Sequence, residues 1–183
     1  MKGFVRTELD FSLCGLACLL CPMQVGGYCP GCGGGAGNQS CAIARCSLEQ
    51  GGPEFCNECA AYPCARYDEF DAADSFVPHS RRAADLARAG EMGLDAWLDR
   101  LRQKRAILDQ LLAGWNDGRR KSLYCAAAYL LEPEALRRVM ETLASQSDLA
   151  AAPVKEKALA AAALLQAEAD RAGISLKLNK GKG

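Results

Sequence analysis

Ten of the eleven cysteines fall within 51 residues, from Cys14 to Cys64, in the order CGLAC, CP, CPGC, CAIARC, CNEC and YPC. Thiols this dense, in a chain with no sign of export, point to metal ligation rather than disulfides. Cys29 and Cys32 enclose Pro30 and Gly31, with Gly33 after them. That spacing is a metal knuckle, a tight turn whose backbone N–H groups aim at sulfur and whose residues must tolerate unusual φ. Cys56 and Cys59 make a second CxxC, with 23 residues between Cys32 and Cys56. Two such pairs present four sulfurs tetrahedrally in structural zinc modules, so Cys29, Cys32, Cys56 and Cys59 form the expected primary site. A second site would draw on Cys14, Cys18 and Cys21 with one or more of Cys41, Cys46 and Cys64. One four-cysteine site beside a shared six-thiolate site is also compatible with the spacing.

Zn2+ is the favoured ion, because closed tetrathiolate sites are its usual structural setting. A [4Fe-4S] cluster is the alternative, since Cys14, Cys18, Cys21 and Pro22 resemble cluster-binding runs. CxxxCxxC is also the spacing of radical-SAM enzymes. The chain has no repeated strand-helix units, however, and 183 residues are few for the barrel those enzymes use.

Other reactive groups are sparse. His79 is the only histidine, and its place beside Pro78 at a helix start reads as a capping or surface residue rather than a ligand. Arg119, Arg120 and Lys121 open a helix, where free N–H groups add positive potential, and form a candidate anion site against the plainer reading of a solvated basic cluster. Cys125, between Tyr124 and Ala126, reads as a small buried hydrophobe. An enzyme acting on a small anion through these residues is the least favoured function.

The cysteines need elements to hold them. Ser12 is placed to cap a helical turn from Leu13, which would put Cys14, Cys18 and Cys21 on one face. A regular helix would separate the first and last by about 10 Å along its axis, so Cys21 must bend back at Pro22. Seven glycines between Gly26 and Gly37 surround the CPGC knuckle. Residues 41–50 read as a short helix carrying Cys41 and Cys46, closed by Gly51, Gly52 and Pro53. Tyr67, Phe70 and Phe76 are available to pack this region onto the helices beyond it, and Ser80 is placed to cap the first of them. Leu94, Trp97, Leu98, Leu101, Leu108, Leu111 and Leu112 recur at helical spacing and end at Gly114. Pro133 opens another helix bearing Leu136, Val139, Met140 and Leu143, and Pro153 opens an alanine-rich one that Gly173 stops. ISLKLNKGKG at the end reads equally as a short strand or a frayed tail.

The ordered series CGLACLLCP at 14–22, CPGC at 29–32, CAIARC at 41–46 and CNECAAYPC at 56–64, with NDGRRKSLYC at 116–125, resembles the DUF3795 family of small cysteine-rich bacterial and archaeal proteins, across roughly residues 10–140. The resemblance implies a metal-binding cysteine module, no established reaction and frequent occurrence in anaerobes.

The chain carries 22 basic and 22 acidic residues. Residues 1–70 hold four Lys/Arg against seven Asp/Glu and the remainder 18 against 15, so neither part has a field that points to nucleic acid or a membrane. Glu8 and Asp10 interrupt what would be a signal peptide's apolar core, and no run reaches the length of a membrane span, which places the chain in the cytoplasm. Aliphatic residues concentrate beyond residue 83, so the first third depends on its cysteines for stability. The expected architecture is mainly α, with an irregular, zinc-knuckle-like metal module over 1–78 packed on a helical bundle over 79–183. The expected function is a metal-binding protein whose partner is another protein; the alternative is an iron-sulfur protein with an electron-transfer or cluster-carrier role, and an enzymatic role is the least favoured.

Overall fold

The computed structural model describes residues 3–35 and 41–181. The glycine run beyond Gly35, the side chain of Phe70 and the extreme termini lie outside the described residues. The fold is mainly α, and among the described residues there is no strand. Four short helices lie in or beside the cysteine region or between longer ones: α1 (Pro22–Val25), α2 (Ala42–Glu49), α3 (Ala65–Phe70) and α8 (Ser147–Ala150). The larger helices are α4 (Arg82–Met92), α5 (Leu94–Gly114), α6 (Lys121–Leu130), α7 (Pro133–Ser145) and α9 (Val154–Arg171).

The centre is α5. It buries Trp97, Leu98, Leu101, Ile107, Leu108 and Leu111, a stripe at helical spacing, and it packs against α4, α6, α7, α9 and a 3₁₀ turn at Cys18–Leu20. α6 is apolar on every side from Tyr124 to Leu130 and is correspondingly buried throughout that span. Ala158, Ala161, Leu165 and Ala169 form the inner face of α9, where small side chains let it approach α6 and α7 closely. Pro133 stands at the first turn of α7, where its missing N–H matters least.

The apolar core does not stop at the cysteines. Phe4, Phe11, Leu13, Leu20, Ile43, Phe55 and Tyr67 belong to the same buried cluster as Leu108, Tyr124, Leu136 and Leu165. The Phe11 ring meets Phe55 at 5.5 Å and Trp97 of α5 at 5.7 Å, the latter edge-on. Arg105 of α5 donates to the Leu19 carbonyl at 2.9 Å. A division at residue 78 therefore follows the change in composition, while packing is continuous across it.

Several local expectations are corrected. Residues 13–17 form a turn rather than the start of a helix. Gly15 has φ +90°, and a Cβ there would collide with the Arg82 carbonyl oxygen, so α4 pushes against backbone at the point where helix would continue. Ser12 still closes the turn, accepting the Leu16 N–H at 2.7 Å. Pro22 begins α1 rather than ending a helix. Arg81, not Ser80, occupies the N-cap of α4. Phe76 is 51% exposed while Tyr67 is 5% exposed, so Tyr67 performs the packing expected of both. Among the described residues, which reach Gly181, the C-terminal stretch holds no strand and is tied down: Leu176 enters the core, and the Asn179 N–H and the Asp74 N–H each donate across to the other residue at 2.7 Å.

Candidate metal centre

The thiols are sorted by three local structures. Cys14 and Cys18 follow the Ser12 turn, with Cys18 opening the 3₁₀ turn. Cys32 sits on the knuckle, where Gly31 has φ +101° and a Cβ would collide with the Leu9 carbonyl oxygen, so the chain can pass only with glycine. Cys41 is the extended N-cap residue of α2. These four are electrostatic neighbours: Cys14 and Cys18 interact with each other, each interacts with Cys32, and Cys41 interacts with Cys14 and Cys32.

Cys56 faces a different set. It interacts with Cys46 of α2, with Cys64 and with Cys14, and Cys46, Cys56, Cys59 and Cys64 line one cavity of about 440 Å3. Cys21 interacts with Cys29. Cys32 thus acts on Cys14 and Cys18, while Cys29 acts on Cys21, which itself acts on Cys18.

Around the first set the polar groups point at sulfur. The Cys32 N–H donates toward the Cys18 sulfur, the Leu13 N–H and the Arg6 side chain toward Cys32, and Ser12 Oγ lies 3.3 Å from Cys14 Sγ. Arg6 holds its place by donating Nη1 to the carbonyls of Phe11 at 3.0 Å and Cys32 at 3.2 Å, and it pairs with Glu54 at 3.3 Å. Arg82, fully buried, donates to Asp71 at 2.6 Å and to the Tyr67 carbonyl at 2.7 Å, stacks 3.9 Å over the Tyr67 ring, and its charge acts on Cys14. Tyr67 in turn donates to the Cys14 carbonyl at 3.3 Å. The Tyr129 hydroxyl is buried without a hydrogen bond of ordinary geometry among the described residues; the Ala17 N–H and the thiols of Cys14 and Cys18 are its polar neighbours.

Burial governs the acid-base state of these thiols. Desolvation pushes Cys14, Cys18 and Cys32 up from the ordinary thiol range, and repulsion among them adds to the rise. Cys56 is pushed up to about 12, again chiefly by burial. Among the described residues no cysteine is joined in a disulfide. Nor, among them, are any three His, Cys, Asp or Glu side chains grouped so as to hold a metal ion.

The remaining expected residues have other roles. Lys121 places Nζ 5.9 Å from the centre of the Tyr28 ring, and its charge acts on Cys21 and Cys125. Arg120 pairs with Asp117 at 3.5 Å, and Arg119 is exposed. Cys125 is 1% exposed and burial pushes it up to about 12, so it packs rather than attacks. His79 is buried: its N–H donates to Asp74 at 2.8 Å and its Nε2 accepts the Ser75 N–H at 3.2 Å, a loop-capping role that leaves it away from the thiols.

Arg6, Arg82, Tyr67 and Tyr129 carry no mark of this role in the sequence. Each stands in an unremarkable sequence context, and only the chain path brings them to the cysteines. The buried arginine pair had one available signal, the shortage of basic residues in the first 70 positions, which makes Arg6 one of only four there. Compared with protein-family models, with curated proteins and with solved structures, the chain finds no match in any of the three.

Proposed function

We propose that this protein binds a metal through Cys14, Cys18, Cys32 and Cys41, that zinc is the favoured ion and that the bound metal stabilises a cytoplasmic protein whose surface meets another protein. One observation carries the reading: four neighbouring thiols are buried or half-buried, yet backbone N–H groups address Cys18 and Cys32, the Arg6 side chain addresses Cys32, and the charge of buried Arg82 acts on Cys14. Such donors stabilise thiolates, whereas burial and mutual repulsion oppose them. A dication resolves the conflict. Four thiolates and Zn2+ carry a net charge of −2; Arg6 and Arg82 act on this group while each is also paired with a carboxylate, Glu54 and Asp71. When bound, zinc would supply folding energy rather than chemistry. An oxidised [4Fe-4S] cluster on four thiolates carries the same −2, and the cysteine order, which resembles that of the DUF3795 family, accommodates either centre.

The test is elemental analysis of protein purified without oxygen. Wild type should be colourless and contain zinc, and the Cys18→Ser/Cys32→Ser double variant should lose metal. A brown sample with iron and acid-labile sulfide would replace zinc with the cluster, and with it the structural role by an electron-transfer or carrier role. Protein free of any transition metal would overturn the proposal.

A further inference from the structure

Four thiols outside the proposed metal set share a different setting. α2, the 3₁₀ turn Cys56–Glu58 and the chain entering α3 bring Cys46, Cys56, Cys59 and Cys64 to the wall of one cavity of about 440 Å3, which is otherwise largely apolar. Tyr62 and Tyr67 add two rings to that wall, meeting edge-on with centres 5.2 Å apart. Two hydroxyls of the lining are engaged elsewhere: Ser47 donates to the Ala44 carbonyl at 2.9 Å and Tyr67 to the Cys14 carbonyl at 3.3 Å. Thiol sulfur donates and accepts only weakly, so the wall offers little to water, which needs two to four polar partners to settle in a cavity. Polarisable sulfur and aromatic edges favour a flat aromatic molecule instead. The charge around the cavity is one-sided. Among the described residues Arg66 is the only charged residue in the lining, no Asp or Glu stands there, and Arg66 is exposed and without an ion pair.

We infer that this cavity binds a small aromatic carboxylate, with its rings among the thiols and tyrosines of the wall and its carboxylate at Arg66. Volume sets the size of the ligand. An apolar cavity of about 150 Å3 takes benzene, so 440 Å3 has room for about two fused rings and a substituent. It also falls within the range of about 300–1,000 Å3 that small-molecule sites occupy. A guanidinium is the planar donor fork that matches a carboxylate, and because Arg66 is exposed the bound anion keeps contact with water. The inference is independent of the metal reading. None of Cys46, Cys56, Cys59 and Cys64 belongs to the proposed metal set, and the ligand is held by sulfur, ring and guanidinium rather than by an ion.

The experiment uses the whole chain, purified without oxygen, and 2-naphthoate, with 2-naphthalenemethanol as its uncharged counterpart. Both are titrated by isothermal calorimetry. Both should bind saturably, naphthoate the more tightly. In Arg66→Ala naphthoate should weaken by about three- to fivefold, as the loss of an exposed ion pair requires, while the alcohol binds as before. Ala65→Trp, at an exposed position of the lining, should abolish binding of both compounds at wild-type helical ellipticity. On wild-type protein, which needs no variant, nuclear Overhauser effects from the naphthyl protons should reach the Ile43 methyls and the Tyr67 ring. The inference is overturned by any of four results: no saturable binding of either compound, Overhauser contacts only to residues outside the cavity, binding that survives in folded Ala65→Trp, or an Arg66→Ala variant that weakens both compounds equally or neither. Metal content is assayed on the same samples, and its absence overturns the proposed function alone.

Discussion

Phe11→Ala probes whether the cysteine region and the helices are one cooperative unit. Phe11 is fully buried and its ring touches both Phe55, beside the second CxxC, and Trp97 on α5. Removing a buried phenylalanine side chain destabilises by about 3–5 kcal/mol through lost transfer energy and the cavity left behind. The two ring contacts place this site toward the upper part of that range. With a guanidinium slope of about 4–6 kcal/mol per molar for a chain of this size, the midpoint should fall by about 0.5–1 M. The assay is guanidinium unfolding of metal-loaded protein followed both by ellipticity at 222 nm, which reports the helices, and by tryptophan fluorescence. Both curves should move together and by the same amount. An ellipticity transition that stays in place while another signal shifts would refute the shared core, because the helices would then be folding independently of Phe11.

Two further outcomes rest on particular contacts. Glu132 accepts hydrogen bonds from Arg100 at 2.5 Å and Arg88 at 3.0 Å, with Arg81 at 3.3 Å; burial opposes its charge, but the hydrogen bonds from Arg100 and Arg88 prevail and hold it down at about 2. A carboxylate depressed in the folded state contributes stability that is complete above the unfolded carboxyl range, near about 4.3, and is lost as pH falls toward 2. The difference in melting temperature between wild type and Glu132→Gln should therefore be widest at neutral pH and narrow below about pH 4, and a gap independent of pH would contradict the assignment. Gly15→Ala should lose more than about 2 kcal/mol, since it combines positive-φ strain with a Cβ driven into the Arg82 carbonyl; chemical denaturation giving wild-type stability would mean the turn at Cys14 is placed differently.

The long helices were legible because their determinants are local. Leu94 through Leu112 repeats at helical period, Pro133 and Pro153 mark helix starts and Gly114 and Gly173 mark stops, and α5, α7 and α9 run between those residues. The turn at Cys14 was not legible in the same way. Ser12 and the apolar residues after it favour helix, and what forbids it is the approach of Arg82, from a helix far along the chain. The thiol neighbourhoods were not legible for a related reason. Spacing identifies CxxC pairs but not which thiols meet, and in the fold Cys32 acts on Cys14 while Cys29 acts on Cys21. Buried Arg82 illustrates the limit most clearly: in sequence it is half of an ordinary basic pair before a helix, and in the fold it is the cation beside Cys14.

X-ray absorption at the metal edge, on protein purified without oxygen, reads the ligands of the bound metal without relying on any variant. Thiolate ligation requires a shell of sulfur alone at about 2.3 Å, close to four per metal, with iron neighbours added if the centre is a cluster. A first shell containing nitrogen or oxygen at about 2.0–2.1 Å, or protein with no bound metal to measure, would contradict it.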